Sequence, residues 1–325
     1  MRITNKMIDR QLRTRGKIIN ILVRKSAEEK FVKSMHTNKK MMSRTKGKNI
    51  EGLTCTEEWI SRANDGSKLR IRMYKPLHPK SHVPGVLWIH GGGYAMGNPE
   101  MSAVTYKRLI AESDCVIVAP DYRLSIEAPY PAALQDCYDA LLWMKEHAKE
   151  LGIRDDQLMV GGESAGGGLT AALTLYARDM AEVQIAFQMP LYPMIDDRMI
   201  TESSIDNNAP AWDSNSNRWA WKLYLGDLYE KDVPGYAAPA RAKDYSNLPP
   251  TVTFVGDLEP FRDETIQYVE NLRQAGVPVD FEMYEGCYHG FDIICPKAEV
   301  SKRAISFFVS SFKYAVDHYF AEQRH

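Results

Sequence analysis

Residues 158–169 read LMVGGESAGGGL, a short apolar run that passes through Gly162-Glu163-Ser164-Ala165-Gly166 into a segment of helical length. The run predicts a buried strand and the residues from Ala165 onward predict a helix, which puts Ser164 on a strand-to-helix turn. So sharp a turn leaves little room for neighbouring side chains, hence the glycines on either side. The Ser164 hydroxyl would then project above the sheet edge, and the N–H of Ala165, first of its helix, would point at any negative charge developing there. A serine that merely caps a helix is the competing reading, and the rest of the chain has to separate the two.

Working outward, the same alternation recurs. Strand-like runs lie at GVLWIH (85–90), CVIVAPDY (115–122), VQIAFQMPLY (183–192), TVTFVGD (251–257) and VDFEMYE (279–285). Segments of helical length lie between them, near 101–112, 131–149, 165–179 and 262–275, with a last one near 299–319. Before them, LTCTEEWISRA (53–63) and KLRIRMYKP (68–76) flank Asn64-Asp65-Gly66-Ser67, a hairpin signal. A hairpin followed by repeated strand–helix units predicts an α/β fold, a mostly parallel sheet with helices on both faces. Residues 196–235 interrupt the alternation and are too long for a plain connection. Their Trp212, Trp219, Trp221, Leu223 and Tyr224 can bury apolar area, which argues against disorder.

Residues 1–48 hold fifteen Lys/Arg against three Asp/Glu, net +12, and the remainder twenty-six against thirty-nine, net −13. Within this leader Ile8, Leu12, Ile19, Leu22 and Val23 form one apolar stripe at helical spacing, and Phe31, Val32 and Met35 suggest a second helix. The bases are interspersed with apolar residues and no nucleic-acid motif follows, so nucleic acid is not an expected partner. The start lacks the apolar run of a signal peptide, and no run of eighteen apolar residues occurs anywhere. Cytoplasm, without stable membrane insertion, is the expected location. Five cysteines (Cys55, Cys115, Cys137, Cys287, Cys295), odd in number and with no C-x-x-C pair, read as free thiols. Cys287 reads as a small buried filler despite its closeness to His289.

His90-Gly91-Gly92-Gly93 closes the strand GVLWIH. Three successive glycines cost backbone entropy without any packing return, so they predict a loop whose N–H groups approach a ligand closely. No Gly-Lys-Ser/Thr follows, which excludes a P-loop. The loop fits the second half of an oxyanion hole. An unassisted serine is a poor nucleophile and needs a base. His36, His78, His82, His147, His318 and His325 occupy polar, charged or terminal contexts, and His90 is expected to hold its own loop. His289, in YEGCYHGFD, follows both Ser164 and an acid-bearing strand end, the chain order of nucleophile, acid and base. The acid comes from VGDLEPFRDE (255–264), which contains Asp257, Glu259, Asp263 and Glu264. Asp263 and Glu264 read as charges favouring a helix start. Asp121 and Arg123 read as a structural ion pair beneath the glycine loop.

These motifs resemble those of the hormone-sensitive-lipase family of α/β-hydrolases, marked by His-Gly-Gly-Gly and Gly-Asp/Glu-Ser-Ala-Gly. The similarity extends through PDYRLSIEAPYPAALQDCYDALLWM (120–144) and RDETIQYVENLRQAGVPVDFEMYEGCYHGF (262–291), covering roughly residues 80–300. It implies the α/β-hydrolase fold, with an eight-stranded sheet and a helical cap. The cap would comprise residues 1–50 and 196–235, and the core 51–195 and 236–325. It implies a carboxylic-ester hydrolase acting through an acyl-enzyme, with Ser164, Glu259 and His289 catalytic and Gly92, Gly93 and Ala165 donating to the oxyanion. The family's acid opens an Asp-Pro-Leu motif, which here reads Glu259-Pro260-Phe261, and Asp257 remains the rival. Tyr94 and Trp212 are the expected pocket residues, short-chain esters the expected substrates, and no metal or organic cofactor is implied. A homodimer paired through the last strand is also admitted. A non-catalytic small-ligand receptor on this scaffold and a membrane-associated lipase are the alternative functions.

Overall fold

The computed structural model describes residues 1–22 and 27–323. Eight strands form one sheet: β1 (Leu53–Ser61), β2 (Lys68–Pro76), β3 (Val83–Ile89), β4 (Val116–Pro120), β5 (Ile153–Glu163), β6 (Phe187–Leu191), β7 (Thr251–Gly256) and β8 (Val279–Tyr284). Their order is β1-β2-β4-β3-β5-β6-β7-β8. Only β2 runs against its neighbours, pairing antiparallel with β1 and β4, and every other pair is parallel. The β1–β2 hairpin pairs Ser61 with Lys68, so its connection is six residues rather than a tight two-residue turn. Asp65 organises that connection by accepting the Ser67 N–H at 2.9 Å.

Helices cover both faces because the central strands are apolar on both. Along β3, Leu87 and Ile89 join one core cluster, while Val86 and Trp88 join the other. The first cluster takes residues from α4 (Ala132–Glu146) and α6 (Ala165–Met180), including Leu134, Leu141, Leu169 and Leu173. The second takes Tyr106 and Leu109 from α3 (Ala103–Glu112) and Phe308 and Phe312 from α10 (Glu299–His318). The remaining helices are α1 (Arg13–Leu22), α2 (Glu28–Met42), α5 (Ala148–Leu151), α7 (Ser214–Leu225), α8 (Arg262–Gln274) and α9 (Phe291–Ile294).

The leader does not start as a helix at Ile8, as its stripe predicts. Helix begins only at Arg13, because the Asp9 N–H donates to Gly286 O (2.9 Å) and the Asp9 side chain accepts the Gln11 N–H (2.8 Å). The Asp9 carbonyl in turn accepts the Arg13 N–H at 3.1 Å, so Asp9 caps the turn that leads into α1. Ile8 and Leu12 still reach the core as expected, and Val23 and His325 lie outside the described residues. Phe31 and Met35 of α2 are buried beside Trp212 and Trp221, and Glu28 pairs with Lys222 of α7 at 2.9 Å. The first residues also bond to the long insertion, with Arg2 on Asp206 at 2.8 Å and the Ile3 N–H on Asn208 Oδ1 at 2.5 Å. Leader and insertion thus pack on each other at the carboxyl ends of the parallel strands. No helix of the described residues is long and apolar enough to cross a membrane.

Asp121 and Arg123 do not pair with each other. Asp121 binds Lys46 (2.7 Å) and Arg70 (3.2 Å), whereas Arg123 turns to the fully buried Asp136 (2.8 Å), which also takes Arg62 (2.7 Å). Asp136 projects from α4 toward both cations and, being wholly buried, needs both.

The start of α6 rests on the end of β3 so closely that a Cβ at Gly166 would fall well inside contact distance of the Ile89 and His90 carbonyl oxygens. Backbone on backbone cannot yield, so Gly166→Ala should lower the thermal midpoint by at least ~5 °C or abolish soluble expression. A melting curve superimposable on wild type would contradict this packing.

Candidate active site

Ser164 adopts φ 60° and ψ −119°, a conformation that ordinarily costs a non-glycine residue about 1–3 kcal/mol. Its backbone is locked from both sides: the N–H donates to Leu191 O (3.0 Å), and the carbonyl accepts from Gly168 (2.9 Å) and Met194 (3.0 Å). The Ser164 Oγ then stands 2.8 Å from His289 Nε2. On the other side of the ring, Nδ1 lies 2.5 Å from Glu259 Oε2. A carboxylate can only accept, so Nδ1 carries the proton and Nε2 is left to accept from the serine hydroxyl. Glu259 is fully buried, and its second oxygen accepts the Gly256 N–H at 2.8 Å. The carboxylate is thereby fixed to its own turn as well as to the imidazole.

The four carboxylates of VGDLEPFRDE have separate surroundings. Asp257 accepts the Cys287 N–H at 3.2 Å and makes no bond to the imidazole. Burial raises its pKa against the opposing pull of the Cys287 and Gly286 N–H groups. Together with the bonds from Asp257 N–H to Tyr284 O and from Leu258 N–H to Cys287 O, both 3.0 Å, it joins the acid's loop to the histidine's loop. Asp263 binds Arg262 (2.6 Å) and the Ser203 N–H (2.8 Å). Glu264 departs from the expected helix-start charge. It is buried, accepts the Asp196 N–H at 2.8 Å and that of Ile195 at 3.3 Å, and has its pKa pushed well up by burial.

The glycine loop lies against the serine. A Cβ at Gly91 would sit 2.8 Å from Glu163 O and 3.3 Å from Ser164 Cβ. Gly92 and Gly93 have φ of 115° and 58°, and the Gly92 carbonyl accepts from both Ala95 and Met96 at 3.1 Å. Among the described residues, no turn or loop carbonyl accepts the N–H of Gly92, Gly93 or Ala165. His90 is buried and stacked on Tyr122 (4.2 Å between centroids), with Nδ1 on Gly91 O at 2.8 Å. Burial pushes its pKa down to about 4, so the ring is neutral and serves to hold the loop.

Of the two expected pocket residues, Trp212 is the one beside the site. Its ring lies against Gly93, 6.4 Å from the His289 centroid and 6.4 Å from Phe31, and its Nε1–H reaches Asn217 Oδ1 at 3.3 Å. Tyr94 turns into the core instead. Its hydroxyl donates to Met194 O (2.6 Å) and its ring stacks on Tyr224 at 3.9 Å. The positive φ of 59° at Tyr94, forced by the tight glycine turn, aims the side chain inward. Cys287 is buried, its thiol pushed up by burial and so unreactive. No group of three or more His, Cys, Asp or Glu among the described residues could hold a metal ion.

Sequence reasoning passed over Glu163. Next to the serine and buried, it accepts the Trp88 Nε1–H at 2.6 Å and the Ser102 hydroxyl. The available signal was an ionisable residue at the inner end of an apolar strand. Burial raises its pKa from 4.5 to about 7, the Ser102 and Trp88 bonds opposing. A raised carboxyl stabilises the fold below its unfolded pKa, and that contribution is lost as pH rises through the folded one. Thermal midpoints of wild type minus Glu163→Gln should therefore fall from pH 4.5 to pH 7 and level off above. A pH-independent difference would show that Glu163 does not titrate there.

Comparison with known proteins agrees with this geometry. A family described as having the alpha/beta hydrolase fold matches residues 86–293. Esterase LipI of Mycobacterium tuberculosis is 34% identical over 223 residues, covering 68% of this chain and 70% of its own. An arylesterase of Saccharolobus solfataricus is 31% identical over 233 residues, 69% of this chain and 73% of its own. Among solved structures, a bacterial heroin esterase superimposes with a TM-score of 0.86 at 33% identity, covering 97% of this chain and 99% of its own. An esterase of Pyrobaculum calidifontis follows with 0.80 at 27%, covering 94% and 98%. With motifs, sheet order and relatives in agreement, the chain belongs to the α/β-hydrolase fold family, in its hormone-sensitive-lipase group.

Proposed function

We propose that the protein is a carboxylic-ester hydrolase in which Ser164 is the nucleophile, His289 the base and Glu259 the acid. The observation that carries this reading is the unbroken line from Glu259 Oε2 through His289 to Ser164 Oγ, 2.5 and 2.8 Å per link. Ser164 Oγ attacks the ester carbonyl carbon as its proton passes to His289 Nε2. The carbonyl electron pair moves onto oxygen, held by the N–H groups of Gly92, Gly93 and Ala165 at ~3 kcal/mol per donor. Glu259 stabilises the imidazolium. Collapse of the tetrahedral adduct breaks the bond to the alcohol, which leaves with the proton from Nε2. Water repeats the sequence on the acyl-serine and frees the acid.

Trp212 against Gly93 and Phe31 against Trp212 narrow the approach, which supports small or short-chain acyl groups. Residues 1–50 and 196–235 act as the cap, a role supported by their mutual packing above Ser164 and His289. Five unpaired cysteines favour a reducing compartment such as the cytoplasm. The edge position of β8 favours a homodimer paired through that strand.

On p-nitrophenyl acetate, Ser164→Ala should lower kcat by ~10³-fold or more with the fold intact. Turnover retained by the folded variant would refute the serine mechanism. Glu259→Gln should cost ~10²–10⁴-fold in kcat. Asp257→Asn should stay within ~10-fold and act mainly on the thermal midpoint, and the reverse ranking would transfer the acid's role to Asp257. For acyl-chain length, kcat/KM should decline from butyrate to decanoate esters, and Trp212→Ala should shift the profile toward longer chains. An unchanged profile would mean that Trp212 does not bound the pocket.

A further inference from the structure

Two hydrogen bonds, one at each nitrogen, fix an imidazole along the line between them but leave it free to tilt about that line. In His289 the tilt must be set by packing. Its ring is met nearly perpendicularly by Phe261 (5.0 Å between centroids, 88°) and Tyr192 (5.1 Å, 83°). Phe261 is fully buried, and its carbonyl already accepts the Thr265 N–H at 2.9 Å as α8 begins. It therefore has no slack of its own. Only Pro260, with its fixed φ, separates it from Glu259. One short turn thus supplies both the carboxylate that holds Nδ1 and a wall against the ring.

We infer that Phe261 is a positioning residue for His289, and that its size is matched to the length of Glu259. Glu259 is held at both oxygens, Oε1 by the Gly256 N–H at 2.8 Å and Oε2 by Nδ1 at 2.5 Å, so its reach is fixed. That reach sets the distance of the imidazole from the turn, and the Phe261 ring stands perpendicular to the imidazole with its centroid 5.0 Å away. With Glu259→Asp alone, the imidazole is drawn toward a wall that does not move. With Phe261→Leu alone, the wall retreats while the acid still holds the ring out, and the tilt is lost. Changed together, the two restore a consistent turn. Tilt governs the angle at which Nε2 meets the serine hydroxyl, so the effect falls on kcat more than on KM.

The inference rests on the serine reading, and its test separates the two. Kinetics on p-nitrophenyl acetate are compared for wild type, Phe261→Leu, Glu259→Asp and the double variant, with thermal midpoints for each. Each single change should lower kcat by ~10-fold and move KM less than ~2-fold. The double variant should exceed both single variants and return to within ~3-fold of wild-type kcat, instead of the hundredth that independent losses give. A double variant no better than either single variant overturns the matching, as does a kcat loss in Phe261→Leu fully accounted for by unfolded protein. Should Phe261→Leu fail to fold, Phe261→Met carries the same comparison. Fluorophosphonate labelling distinguishes the layers. Labelled Ser164 with multiplicative losses sinks the matching alone, whereas wild type unlabelled at Ser164 sinks the serine reading and this inference with it.

Discussion

The constraint on which the rest depends is the contact of two backbones, the first turn of α6 seated on the last carbonyls of β3. Because Gly162 and Gly166 have no Cβ, the chain can reverse from strand to helix in the space of Ser164. A Cβ at Gly162 would already lie 2.5 Å from the carbonyl oxygens of Gly166 and Ile89. The unfavourable φ of the serine is maintained by this crowding and by bonds to Leu191, Gly168 and Met194. The placement of Ser164 is therefore set by the backbone of the sheet and turn before any neighbouring side chain is chosen. Among the described residues, the side chain that bonds to this hydroxyl is His289, which lies 125 residues further along the chain.

Around that point the protein distributes buried carboxylates by what each can bond to. Glu259 has a backbone N–H and an imidazole, Asp136 has two guanidinium groups, and Glu163 has an indole and a hydroxyl. Asp292, also buried, has its pKa pushed up to about 6 by desolvation, with Arg108 opposing. Glu163 and Asp292, given only neutral donors or a distant cation, drift upward in pKa through desolvation. The same residue type thus serves as partner of an imidazole, structural anchor or proton-holding group according to its neighbours.

What could be read from the sequence followed periodicity and local chemistry. All eight strands were legible because their apolar runs are short, separated and bounded by glycine or proline. The elbow at Ser164 was legible because only glycine fits two residues to either side of it, at Gly162 and Gly166. Glu259 could be ranked above Asp257 but not separated from it, because two carboxylates two residues apart differ only in the turn that aims them. Tyr94 misled because a residue after three glycines looks like a loop residue, whereas the positive φ there drives its ring into the core. Glu264 and Glu163 were obscured for a related reason. Burial of a charge is decided by contacts from distant segments, such as Asp196 onto Glu264, which no local pattern records.

The leader looks like a dispensable basic tail, yet it is tied into the loop that carries His289. Asp9 N–H bonds to Gly286 O at 2.9 Å, the Tyr288 hydroxyl donates to Leu12 O at 3.3 Å, and a Cβ at Gly16 would touch Tyr288 at 3.1 Å. Residues 286–289 are therefore gripped on one flank by the acid's loop and on the other by the first segment of the chain. Cutting the chain near the amino terminus would release that grip on the loop of His289. The same segment buries Ile3, Ile8 and Leu12 in the core cluster that holds Tyr288 and Phe291, so the loop and the core beneath it depend on one stretch of chain.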